Sequence, residues 1–257
     1  NCSINELYLG HAITKIGISA FAGTSLHSLI VGSYYNAWLN NVLEDIGEFA
    51  FGNCHSLEKI HMIAPLINIS GQAFNGNETG SLQEIWVNEN DATAKYSSAS
   101  DDYYYINGIF DNIAKKLVVG CSGTLLNNWS DSITSIGEYS FMRMGFCPDD
   151  IKIPDSILEI EDSAFSYNGI GGLVDLNNVT NVGYAAFAYN SIRDLDLSQV
   201  VSISNFAFGY NVYLSSVTLS KNPMNVGTGV FELAGPAGST TSSINTVIVP
   251  NIASMVQ

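Results

Sequence analysis

Histidines and cysteines are the side chains of this 257-residue chain best suited to metal or redox chemistry. They are His11, His27, His55, His61, Cys2, Cys54, Cys121 and Cys147. The histidines lack a helical i, i+4 partner, and the cysteines lack a Cys-x-x-Cys spacing, so we expect no metal site and free thiols. The chain also has no Gly-x-Ser-x-Gly elbow, phosphate loop or dinucleotide fingerprint. The sequence therefore predicts neither a cofactor nor an enzyme.

Aromatic side chains offer recognition chemistry instead. Tyr8, His61 and Trp86 each stand, like Ile30, between two apolar residues in a short segment that recurs along the chain. Such side chains are costly to leave in water, and contiguous exposed apolar area marks interaction sites. We expect them to form one binding patch, and the alternatives are a loop folded over them or scattered exposure.

Acidic side chains occupy the same outward position further along. Asp175 and Asp196 fall in successive copies of the segment, with Asp194 nearby. Like charges that face each other on neighbouring strands cost stability, which invites a cation or a basic partner. The alternative is a solvated acidic face softened by Lys152 and Arg193.

Short strands must position these side chains. Each recurring segment alternates apolar, outward and apolar residues, as a strand with one buried face does. Because the copies recur in one direction, they are expected to pair in parallel in one long sheet, with Val118 as a further candidate for the outward row. The segments are 7–9, 29–31, 60–62, 85–87, 151–153, 174–176, 195–197, 217–219 and 247–249.

A second motif alternates with the strands. It begins with Ile or Val, has a small residue next, and ends five positions later with Phe, as in Ile46 to Phe51. Eight copies end at Phe21, Phe51, Phe74, Phe141, Phe165, Phe187, Phe208 and Phe231. A unit of 21 to 24 residues predicts a solenoid with a spine of stacked Phe rings. Asn, Cys or Thr stands three residues after most of these Phe residues, which predicts a buried polar ladder that satisfies backbone groups.

The stretch 46–60, IGEFAFGNCHSLEKI, resembles the repeat of the BspA-like leucine-rich-repeat surface proteins of bacteria and protozoa. The resemblance implies a right-handed leucine-rich-repeat solenoid on the cell surface, in the α/β horseshoe class by convention but dominated by β-structure. Some relatives act as adhesins for host or matrix proteins. The shared residues are those of the core, so the resemblance names no ligand for this chain.

Irregular segments interrupt the array. We expect a single domain over 1–257 of about nine to ten repeats, an inserted hairpin in the irregular repeat 88–128, and a flexible loop at 235–243. The tyrosines in the first interruption are Tyr103, Tyr104 and Tyr105. They belong either to a hairpin that covers a core seam or to a binding lip.

Composition limits the partners. A net charge of −15 disfavours nucleic acid and anionic membranes, and no apolar run is long enough to span a bilayer. We expect a monomeric, extracellular interaction module that binds a host or matrix protein and is attached to the cell surface by a segment outside this sequence. The alternatives are a carbohydrate-capture module, in which Trp86 and the three tyrosines stack on sugar rings, and a passive spacer.

Overall fold

In the computed structural model the chain winds into a coil of short parallel strands. The structure describes residues 4–10, 12–32, 43–62, 66, 68–77, 81–87, 96–99, 105–111, 113–126, 129, 131–234, 244 and 246–248. None of these residues is in a helix, so no described helix could cross a membrane. The predicted short-stranded solenoid is therefore confirmed.

Nine strands of two to four residues carry the apolar, outward, apolar segments. They are β1 (Glu6–Leu9), β3 (Ser28–Val31), β5 (Lys59–Met62), β6 (Glu84–Val87), β11 (Ile151–Lys152), β13 (Leu173–Asp175), β15 (Asp194–Asp196), β17 (Ser216–Thr218) and β19 (Thr246–Ile248). The surface formed by their outward residues is called the strand face below. In β5, for example, Ile60 and Met62 are fully buried between more exposed neighbours, as a period of two requires.

Two-residue strands lie at the start of the Phe motif. They are β2 (Lys15–Ile16), β4 (Asp45–Ile46), β10 (Ser135–Ile136), β12 (Glu159–Ile160), β14 (Asn181–Val182), β16 (Ser202–Ile203) and β18 (Asn225–Val226). Each Ile or Val pairs in parallel with its counterpart in the next turn of the coil, for example Ile160 with Val182. These pairs form sheets that are separate from the sheets of the strand face.

One expectation about the strand face is wrong: the outward row does not belong to one long sheet. In the described part of the chain, the strands of the strand face form a four-stranded sheet, β1-β3-β5-β6, and a separate five-stranded sheet, β11-β13-β15-β17-β19. Between them the chain forms β7 (Tyr96–Ala99), β8 (Tyr105–Asp111) and β9 (Lys116–Val119), which pair antiparallel. Val118 also leaves the row, because β9 pairs with β10 on the other side of the coil.

The Phe residues form the expected inner column. Ring centroids of successive stacked pairs lie 4.7 to 6.0 Å apart, from Phe21 to Phe74 and again from Phe141 to Phe231. Gly120 stands in the irregular repeat between these two runs. A Cβ atom at Gly120 would lie 2.2 Å from the Phe141 ring, so glycine leaves the space that this ring fills.

The polar ladder next to the Phe column is also confirmed. Asn190 Nδ2 donates to the carbonyls of Phe165 (2.9 Å) and Phe187 (3.0 Å), and its Oδ1 accepts from Ile170 N–H (3.2 Å). Asn168 and Asn211 repeat this arrangement in the neighbouring turns. Each Asn thus ties two successive turns together through backbone groups that would otherwise be buried without partners.

Candidate functional site

The aromatic part of the strand face lies on four adjacent strands. Tyr8, Ile30, His61 and Trp86 follow one another in register across β1, β3, β5 and β6. The side chain of Tyr8 is 65% exposed, while the other three are half-buried. Parallel pairing thus brings these four predicted residues into one continuous row, called the aromatic row below. Their role in binding stays a prediction.

At the middle of the aromatic row, Glu84 contacts two basic side chains. His61 Nε2 lies 2.9 Å from Glu84 Oε1, and Lys59 Nζ lies 3.4 Å from Glu84 Oε2. The hydrogen bond with His61, supported by Lys59, holds the pKa of Glu84 below its usual value. The imidazole and the Trp86 indole are 5.9 Å apart at an angle of 57°. Glu84 therefore fixes the imidazole beside the indole at a tilt instead of flat on it.

The acidic residues lie in the other sheet. Asp175 and Asp196 are direct partners in register, and Asp194 lies on the same face two residues before Asp196. Asp175 Oδ1 accepts a hydrogen bond from Asn177 N–H and Asp196 Oδ1 one from Ser198 N–H, both at 2.8 Å. These carboxylates close the turns after their strands, so each has a structural task besides any role in binding.

The tyrosines of the irregular repeat cannot be placed beside either group. Tyr103 and Tyr104 lie outside the described residues, and only the backbone of Tyr105, the first residue of β8, is described. The loop 235–243 also lies outside the described part of the chain. Among the described residues, no three His, Cys, Asp or Glu side chains are arranged to hold a metal ion.

A second aromatic surface escaped the sequence analysis. Tyr167, Tyr189 and Tyr210, each two residues after a Phe of the inner column, stack in parallel with ring centroids 4.2 and 4.3 Å apart. The Arg143 guanidinium lies 4.6 Å from the Tyr167 ring centroid. Partial desolvation between the neighbouring rings, together with hydrogen bonds to the two neighbouring phenols, raises the pKa of Tyr189 to about 12, although the residue stays 40% exposed. We call these three residues the tyrosine stack, and their common spacing from Phe was the signal that could have revealed it.

The fold and the two exposed surfaces define a repeat protein of the leucine-rich, β-solenoid class. The BspA-type leucine-rich repeat region matches residues 1–101 and 111–236 in six copies. The chain belongs to this family. The predicted family resemblance is therefore confirmed.

Solved structures agree on the fold. The pneumococcal vaccine antigen PcpA is similar over 97% of this chain and 58% of its own, with 19% identity and a TM-score of 0.61. A leucine-rich cell surface protein from Faecalibacterium prausnitzii is similar over 96% of this chain and 79% of its own, with 15% identity and a TM-score of 0.59. A leucine-rich repeat protein from Eubacterium ventriosum is similar over 90% and 77%, with 16% identity and a TM-score of 0.55. No curated protein sequence matches the chain.

Proposed function

We propose that this chain is an extracellular, non-enzymatic interaction module that binds a host or matrix protein through its strand face. The observation that carries the proposal is the register of Tyr8, Ile30, His61 and Trp86 on four adjacent strands. A solenoid presents an extended, stiff surface because each turn rests on its neighbours. Aromatic side chains on such a surface gain contact area with little loss of conformational entropy on binding.

The arrangement of the polar side chains supports a binding role over catalysis. Asn168, Asn190 and Asn211 repeat the same contacts with the backbone from turn to turn, and Asp175 and Asp196 repeat the same turn. Catalytic groups need a distinct partner and a distinct geometry at one place. Repeated residues with equivalent structural contacts favour a scaffold.

The proposed location outside the cell draws on the relatives. One of the similar structures is a leucine-rich cell surface protein and another is a vaccine antigen. The similarity covers 58% of the length of that antigen. Any activity of the full-length protein is therefore proposed and does not follow from the similarity. A net charge of −15 further favours a basic protein surface as the partner.

An array of matrix proteins and glycans tests the proposal. Trp86→Ala and Tyr8→Ala should each weaken binding to a captured matrix protein by about tenfold, the usual effect of truncating an aromatic hot spot. Tyr184→Ala is the matched control, because Tyr184 is an exposed aromatic residue (48%) that lies between β14 and the next Phe, away from the strand face. Equal loss in all three variants, or no loss in any, would contradict the proposal.

A carbohydrate-capture role is the second candidate. The imidazole of His61 is tilted by 57° to the indole of Trp86, so it does not lie flat on the indole ring. Sugar rings stack on the faces of aromatic rings such as this indole. Saturable glycan binding that depends on Trp86 and is matched by no protein on the array would favour this candidate. If Trp86→Ala bound every protein and glycan as the wild type does, a passive spacer would be the remaining interpretation.

A further inference from the structure

The tyrosine stack belongs to a longer row that crosses five turns of the coil. The N–H groups of Arg143, Tyr167, Tyr189 and Tyr210 donate to the carbonyls of residues 166, 188, 209 and 232 in the following turn, at 2.7 to 3.2 Å. Each of those carbonyls lies one residue before the next member of the row, so Leu233 is the fifth member. We call these five residues the turn row.

The turn row is open to solvent although it is rich in aromatic and apolar area. Tyr167, Tyr189 and Leu233 are 38%, 40% and 38% exposed, and Tyr210 is half-buried. Contiguous exposed apolar area marks interaction surfaces. The core of a protein interface is also enriched in tyrosine and depleted of charged residues.

The two central turns of the row carry no charge. Residues 183–190, GYAAFAYN, and residues 204–211, SNFAFGYN, contain no charged residue in a chain with 9 Lys and Arg and 24 Asp and Glu. A basic partner finds no carboxylate there, and an acidic partner is repelled by the net charge of −15. The surface that fits these turns is therefore uncharged and apolar, as the same row on a second copy of the chain is.

The order of the side chains along the turn row suits a two-fold axis. Tyr189 lies at the centre, with the ring of Tyr167 at 4.2 Å on one side and that of Tyr210 at 4.3 Å on the other. In an antiparallel pair of copies Tyr189 meets its own counterpart and Tyr167 meets Tyr210, as an isologous contact requires. The same axis brings Arg143 of one copy to the turn of the other that holds the exposed Glu232. The ends of the two rows then carry opposite charges.

We propose that the turn row is the contact surface of a weak, antiparallel homodimer. Each exposed tyrosine offers about two fifths of a ring of roughly 200 Å², so the row as a whole offers about 300 Å². A standard interface buries about 800 Å² per partner, and we therefore expect a dissociation constant of about 10 to 100 μM. The dimer departs from the monomer expected from the sequence. It presents two strand faces at once, which raises the avidity for a partner with repeated sites.

Sedimentation velocity from about 5 μM to about 1 mM tests the dimer. Tyr189→Asp and Tyr189→Arg each set like charges against each other across the axis, so each should weaken dimerisation at least tenfold. An equimolar mixture of these two variants should form a heterodimer within about threefold of the wild-type affinity, because opposite charges then meet. Asn53 and Arg143 hold the same position of their turns at φ angles of 55° and 56°, so both replacements suit the backbone.

Tyr213 provides the matched control. It is 56% exposed and lies outside the turn row. Tyr213→Asp and Tyr213→Arg make the same changes of charge and should alter the dissociation constant by less than about twofold, alone or mixed.

A second set of variants tests the orientation and leaves the tyrosine rings in place. Glu232→Arg meets Arg143 of the other copy and should weaken dimerisation about fivefold. Arg143→Glu combined with Glu232→Arg exchanges the two charges and should restore most of the affinity.

Several results would overturn the inference. A chain that stays monomeric at about 1 mM has no such contact. Equal losses at Tyr189 and Tyr213 would show a general effect of charge, and a mixture of folded Tyr189 variants that stays monomeric would show that Tyr189 does not meet its counterpart. Unchanged dimerisation of Glu232→Arg would exclude the antiparallel orientation. The array experiment with Trp86→Ala uses the strand face, so a failure here leaves the proposed function standing.

Discussion

Tyr167 and Tyr189 lie face to face, with ring centroids 4.2 Å apart and planes within 8° of each other. Both have positive φ angles, 56° and 59°, which a bulky side chain rarely adopts. In the first turns of the coil the same position, two residues after Phe, is held by Gly23, Asn53 and Gly76, residue types that tolerate this backbone. Stacking of the tyrosine rings thus offsets the free-energy cost of the positive φ angles.

Replacing Tyr189 should separate these two effects. Tyr189→Gly loses the stacking, about 0.5 to 1.5 kcal/mol per pair, but gains about 1 kcal/mol from relief of the left-handed backbone. Tyr189→Ala loses the stacking and keeps the strain. In urea unfolding, the glycine variant should therefore be the more stable of the two by about 1 kcal/mol. Equal stability of both variants would mean that the φ angle of 59° carries no cost.

Alkaline conditions should destabilise the fold through Tyr189. Its folded-state pKa is raised to about 12 from an ordinary value of 10.0, so the folded protein holds the proton more tightly than the unfolded chain. Stability is therefore complete below pH 10 and falls as the pH rises toward 12. Tyrosinate absorbance should show late-titrating tyrosines, and the part that comes from Tyr189 should be absent in Tyr189→Phe. A wild-type titration without that part would contradict the prediction.

Truncating the inner column should cost the most stability. Phe187 is fully buried, and its ring centroid lies 4.9 Å from that of Phe165 and 5.4 Å from that of Phe208. Phe187→Ala should lower the free energy of unfolding by about 3 to 5 kcal/mol. Phe206→Ala is the matched control because Phe206 is only half-buried and lies outside the column. Denaturant unfolding measures both, and similar losses would contradict the inner column as the main source of stability.

The asparagine ladder should be nearly as sensitive. Asn190→Ala leaves the Ile170 N–H without its side-chain acceptor in a buried site, while the Phe187 carbonyl keeps the Asn211 amide as a donor. One such unpaired buried group costs about 1 to 3 kcal/mol, and we expect a loss of that size. Asn181→Ala, on the exposed side of β14, should change stability by less than about 0.5 kcal/mol. A loss at Asn190 as small as that at Asn181 would refute a structural role for the ladder.

Acid should weaken the centre of the aromatic row. Because its hydrogen bond with His61 lowers the pKa of Glu84 below 4.5, the folded state favours the carboxylate. This stabilisation is present above the unfolded-state value of 4.5 and is lost as the pH falls through the lower folded-state pKa. His61→Ala should raise the pKa of Glu84 toward its ordinary value, as carboxylate NMR titration would show. An unchanged titration in this variant would mean that another contact sets the pKa.

The inner architecture could be predicted because it depends on spacing alone. Phe141, Phe165 and Phe187 recur at the same point of each unit, and any coil with that period must stack them. The asparagine ladder follows from a fixed offset of three residues from Phe. The register of Tyr8 with Ile30 follows in the same way from the offset of each strand.

The exposed features were harder to predict, for physical reasons. The position of Tyr189 holds glycine, asparagine, arginine or leucine in several other turns, so the repeat pattern does not predict a tyrosine there. The split of the strand face depends on where the chain goes between Val87 and Ile151, and the sequence has no copy of the Phe motif between Phe74 and Ile136.

The break in the strand face also sets the size of ligand that each exposed group can serve. The aromatic row belongs to the sheet β1-β3-β5-β6, and the Asp175–Asp196 pair belongs to the sheet β11-β13-β15-β17-β19. The irregular repeat lies between the two sheets along the coil, where β9 pairs with β10. A ligand that contacts both groups must therefore extend across the irregular repeat, whereas a smaller ligand contacts a single sheet.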